Sequence, residues 1–73
     1  MEKVMIEHMA AMIADEMTSA AKYAECAMKH KADRPKLAEM FHEMAEQEMG
    51  HMNKLMDASK EELKAMQDAY SQA

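Results

Sequence analysis

Glycine, proline and cysteine each occur once in these 73 residues, and tryptophan does not occur at all. With only Gly50 and Pro35 to punctuate the chain, there is almost no turn chemistry, which excludes a loop-rich or many-stranded fold. The lone Cys26 cannot form an internal disulfide, and it excludes a cysteine-held zinc or rubredoxin-type iron site within this chain. β-Branched residues are confined to Val4, Ile6, Ile13 and Thr18, so strand signals are missing as well. Basic residues are in the minority, 9 against 14 acidic ones, for a net charge of −5. That balance argues against nucleic acid and anionic membrane surfaces as partners, since both select basic patches, and it suits a chain that gathers cations. No apolar run reaches the length of a membrane span. Glu2, Glu7 and His8 interrupt what would be the apolar core of a secretory signal. A reducing compartment, the cytoplasm, is the expected location.

Alanine, methionine, glutamate and lysine dominate instead, and all are strong helix formers. The reading is all-α: a single small domain over residues 1–73. Nothing breaks a first helix from about residue 3 to 31. Its apolar positions, Ile6, Met9, Met12, Ile13, Ala20, Tyr23 and Ala27, alternate in threes and fours as a packed seam does. Asp33-Arg34-Pro35 predicts a turn over 32–35, with Asp33 or Arg34 as cap and Pro35 in the first turn of the next helix. The second stripe, over about residues 35–57, reads Leu37, Met40, Phe41, Met44, Met52, Leu55 and Met56. Met5, Met9, Met12, Met40, Met44, Met52 and Met56 read as core filler. Ser59-Lys60-Glu61-Glu62 matches a capping box, so 60–72 is expected as a short third helix, with uninterrupted continuation of helix two as the alternative. Gly50, inside that second helix, costs about 1 kcal/mol relative to alanine; close approach of a neighbouring helix would account for it.

Three positions of the two seams are not apolar. Glu16 continues the first stripe, and Glu48 and His51 continue the second. Burying an unpaired carboxylate costs several kcal/mol unless it is neutralised, paired or bound to metal. A turn this short makes the helices antiparallel neighbours. The midpoint between Glu16 and the Glu48/His51 pair then falls near Asp33, which puts all three side chains at one level, roughly 25 Å from the turn at 1.5 Å per residue. One Glu from one helix plus Glu-x-x-His from another is half of a carboxylate-bridged two-metal site, so the chain reads as half of a metal protein that needs a second copy. A second match, Glu39-Met40-Phe41-His42, fails on geometry: Glu39 is nine residues from Glu48 and faces the opposite side of the helix. Other readings stay open at this point. Glu48 and His51 would pair with a lysine or snorkel to solvent at the margin of the stripe, Glu16 would only fix register, and the twelve methionines would bind copper(I) or form a partner surface. Tyr23, two turns beyond Glu16, is placed to donate from its hydroxyl to a ligating carboxylate. A domain of this size buries only about 60% of its unfolded surface, so a metal or a second copy is expected for stability too.

The stretch Asp15-Glu16-Met17-Thr18-Ser19-Ala20-Ala21-Lys22-Tyr23 resembles the first helix of the rubrerythrin-like branch of the ferritin-like superfamily, where a Glu is followed by Ala four and Tyr seven residues on. Phe41-His42-Glu43-Met44-Ala45-Glu46-Gln47-Glu48-Met49-Gly50-His51 resembles its second, Phe-x-x-x-Ala-Glu-x-Glu-x-x-His. The resemblance spans about residues 6 to 57. It implies Glu16 as a terminal chelating ligand, Glu48 as a bridge between two metals and His51 as a terminal nitrogen ligand, with no catalytic residue beyond these. Rubrerythrins carry two such hairpins in one chain and this chain has one, so the implied architecture is a hairpin that dimerises into a ferritin-like four-helix bundle. Two Fe ions per dimer are implied, with Mn or Zn as alternatives. The nearer comparison is with short two-helix ferritin-like proteins that form metal sites across dimer interfaces, encapsulated ferritins among them, which adds a protein compartment to the expected locations. The family's further peroxidase-linked glutamate falls on Ser19 here, and the cysteine-held iron domain is missing; both argue against peroxidase activity of the rubrerythrin kind.

The implied function is a di-iron carboxylate protein with ferroxidase chemistry, or reduction of O2 or H2O2, at the interface of a homodimer or higher homo-oligomer. A metal-binding or storage module without turnover and a Met-rich helical dimerisation or interaction protein are the alternatives.

Overall fold

The computed structural model describes residues 2–72. It consists of two helices, α1 (Glu2–Lys29) and α2 (Pro35–Gln72), folded back on each other as a hairpin. The expected turn is there, slightly earlier than its predicted bounds. The His30 amide still donates to the Cys26 carbonyl at 3.1 Å, and the Arg34 amide then donates to the His30 carbonyl at 2.9 Å. The Arg34 carbonyl in turn accepts the first bond of α2, from the Ala38 amide at 2.9 Å. Arg34 is therefore the capping position and Pro35 the first helical residue, where its missing N–H costs nothing. The Asp33 carboxylate turns to His30 instead, with both oxygens 3.4 Å from Nδ1.

The expected break at Ser59 does not occur. α2 runs through it for 38 residues, so residues 60–72 continue α2 and are not a third helix. A capping box needs the chain to change direction so that the serine can reach forward to a free amide. Here Ser59 Oγ reaches back, donating to the Leu55 carbonyl at 2.8 Å and lying 3.3 Å from Met9 Sδ of α1. That i−4 bond satisfies a helical serine without interrupting the helix. α2 outruns the 28-residue α1, and the molecule measures 61 × 15 × 11 Å. The last two turns of α2, around Tyr70, extend past the start of α1.

The seam between the helices is narrow. Among the described residues only Ala38 and Ala45, seven residues apart, are buried, each 6% exposed, and no large side chain is fully enclosed. Small residues at the closest approach let two helices touch without a space-filling layer between them. Tyr23 and Phe41 stack across the seam with ring centroids 6.2 Å apart. The core-filler reading of the methionines needs correction. Met9, Met44 and Met52 are half-buried, whereas Met5, Met12, Met40 and Met56 lie exposed on the hairpin. Helical periodicity identifies an apolar face, but a pair of helices can cover only the part of it that meets the other helix. The hairpin exposes 6028 Å², against about 4,600 Å² for a compact monomer of its mass.

Candidate metal centre

Glu16 on α1 and Glu48 and His51 on α2 come together. Each offers a ligand atom, and these atoms all lie within 4.8 Å of one another. The antiparallel fold sets the level, and the spacing of three brings Glu48 and His51 to one side of α2. His51 Nδ1 lies 3.6 Å from Glu16 Oε2 and 3.7 Å from Glu48 Oε1. The two carboxylates are half-buried, with side chains 25% and 23% exposed, while the imidazole is 56% exposed. The cluster is thus an acidic pocket under an open imidazole, on a flank of the hairpin.

No lysine or arginine among the described residues comes within 4 Å of either carboxylate; the nearest basic group is the His51 imidazole. The lysine-paired alternative is therefore not realised, whereas the exposed His51 does stand at the solvent margin of the stripe, as the other alternative has it. Glu16 Oε2 is enclosed and has no hydrogen-bond donor, a costly condition for a carboxylate oxygen. Glu48 feels the same crowding. Hydrogen bonding with Glu16, which needs a proton between the two groups, raises its carboxyl above the usual carboxylate range. Partial burial and the Glu16 charge raise it further, and His51 opposes them. Two carboxylates and an imidazole converging without a cation of the protein's own form a hard oxygen-and-nitrogen donor set, which suits a divalent ion of the Fe, Mn or Zn kind. The enclosed oxygen and the elevated Glu48 carboxyl mark where such a charge fits.

The remaining candidates lie apart from this cluster. Tyr23 is half-buried on the seam, its ring on Phe41, and among the described residues its hydroxyl makes no hydrogen bond to Glu16 or Glu48. His42 of the second Glu-x-x-His match pairs with Glu46 at 2.7 Å, both side chains about two-thirds exposed. His8 is exposed, and Cys26 is half-buried and free. Gly50 has open space where a Cβ would stand, so α1 is not a helix that needs it. The buried pair Ala38 and Ala45 lies beside the bulky stripe that periodicity picks out, not on it. The sequence signal for it is the sevenfold spacing of the two alanines.

Among the described residues no helix is long and apolar enough to cross a membrane. Comparison with curated proteins and with solved structures found no match. The family model for rubrerythrin matches residues 7–72, nearly the whole chain and both helices of the hairpin. The chain belongs to the rubrerythrin family.

Proposed function

We propose that two copies of the hairpin pair across the flank that carries His51, and that Glu16, Glu48 and His51 of each copy hold two divalent metal ions, iron foremost, in a four-helix bundle. The carrying observation is the enclosed, donor-less Glu16 oxygen facing a second carboxylate and an imidazole. One hairpin supplies three ligands, too few for two metals. Two hairpins supply four carboxylates and two imidazoles, the set used by di-iron bundles. Their negative charge balances two doubly charged cations, and pairing removes the open imidazole from water. In this reading Glu16 is the terminal chelating ligand, Glu48 the bridge and His51 the nitrogen donor. Tyr23, stacked on Phe41, helps hold the two helices together two turns along α1 from Glu16. Iron held by these residues would supply the electrons for reducing O2 or H2O2, and iron arriving as the substrate would make the activity that of a ferroxidase. The cytoplasm, or a compartment within it, is the setting such chemistry would have.

A second reading, metal held without turnover, is favoured by Ser19, which stands where the resemblance would put a further carboxylate. One titration separates the two. Ferrous iron added without oxygen is expected to bind at about one ion per chain to a dimer, and air is then expected to produce oxo-bridged ferric absorbance. Binding without that absorbance leaves the second reading. A dimer that takes up no metal, and whose stability is indifferent to Glu48→Ala, overturns both.

A further inference from the structure

α2 carries a second apolar column, which the metal centre does not use. Met49, Met56, Leu63 and Tyr70 follow one another at intervals of seven, and all are exposed, at 51%, 42%, 48% and 86%. Sevenfold spacing keeps side chains on one line along a helix, the arrangement by which helices pack side by side. The line lies on the far flank of the hairpin from the metal centre: His51 is two residues on from Met49, about 200° round the helix. Beside it, three residues earlier in each repeat, runs an exposed polar column of Glu39, Glu46, Asn53 and Lys60. That column is acidic near the turn and basic towards the far end.

We propose that this flank is a second self-association surface, on which α2 of another copy packs antiparallel. The register that sets Met49 beside the partner's Met56 also sets His42 beside Leu63 and Pro35 beside Tyr70. The same register brings Glu46 beside the partner's Lys60, twice by symmetry, and Asn53 beside its own counterpart on the two-fold axis. A parallel arrangement would instead put Glu46 beside Glu46 and Lys60 beside Lys60, with the like-charge cost that selects against it. Tyr70, on the overhanging end of α2, reaches the groove by the turn that Met28, Lys31, Pro35 and Ala38 line. The area is available. The hairpin exposes 6028 Å², roughly 1,400 Å² above a compact chain of its mass, whereas one interface of standard size takes about 800 Å² per partner. Two self-complementary surfaces on opposite flanks carry assembly past the dimer. This second contact does not depend on metal.

The test is charge reversal with rescue, read by native mass and light scattering on metal-loaded and on metal-stripped protein. Glu46→Lys and Lys60→Glu are each expected to weaken the larger assembly by about tenfold, because two ion pairs become two repulsions. The double variant is expected to restore it. Both positions are exposed, and Glu46 gives up only its surface pair with His42, so helicity by circular dichroism should change little. In a Cys26→Ser background, a mixture of Met49→Cys and Met56→Cys chains should cross-link to each other in preference to themselves. Reversals that leave the mass unchanged, or cross-linking without that preference, overturn the proposal. Loss of assembly on metal removal alone would place the contact on the His51 flank and overturn it too.

Discussion

Glu48 is placed where its proton is held back by its surroundings. Its folded carboxyl holds its proton more tightly than an unfolded one, because Glu16 stands beside it. A raised carboxyl stabilises the metal-free fold below the ordinary carboxylate range, and that contribution is lost as pH rises through the elevated value. The melting temperature of metal-free protein should therefore fall from mildly acid towards neutral pH, and Glu48→Gln should flatten that slope. A divalent cation reverses the order, since it competes with the proton for the same oxygens. Metal addition near neutral pH should release protons, measurable by calorimetry in buffers of different ionisation enthalpy. Glu48→Gln should weaken metal binding by at least about a hundredfold, beyond the loss typical of changing a group that merely supports a ligand. These side chains were legible in the sequence because a charged group on an apolar stripe conflicts with its surroundings. The Glu39/His42 match carries no such conflict, and it stands on the outer face, where His42 pairs with Glu46.

At the scale of elements, the two helices and their turn follow from strong helix formers interrupted once, at Asp33-Arg34-Pro35. The register follows too, because a tight turn leaves antiparallel helices little freedom to slide. The continuity of α2 through Ser59 was not legible. Ser-x-x-Glu is compatible with a forward cap or with a backward i−4 bond, and only the direction of the chain decides between them. Ser59→Ala distinguishes the two by magnitude. Loss of a cap would cost about 1 kcal/mol, whereas loss of the Leu55 bond from a continuous helix should move stability by less than about 0.5 kcal/mol, as read by chemical denaturation. The depth of methionine burial escaped the sequence for a different reason. Spacing tells which side of a helix is apolar, and the number of layers covering that side is a property of the assembly. Met12 and Met40, exposed on the hairpin, stand on the flank where the proposed metal-site partner packs.

For the whole molecule, the decisive quantity is its surface. With two alanines as the only buried residues among those described, the hairpin lacks the interior that stabilises larger single domains, and on the proposed reading association supplies the difference. Stability should then depend on protein concentration. Successive tenfold dilutions of metal-free protein should lower the melting temperature stepwise and finally reduce helical circular dichroism at room temperature; a concentration-independent transition would contradict this. The 6% exposure of Ala38 and Ala45 also bears on life in a cell. On the proposed reading a lone chain would lie open to proteases until it met another, and the rate of synthesis, through the odds of encounter, would set how many copies survive.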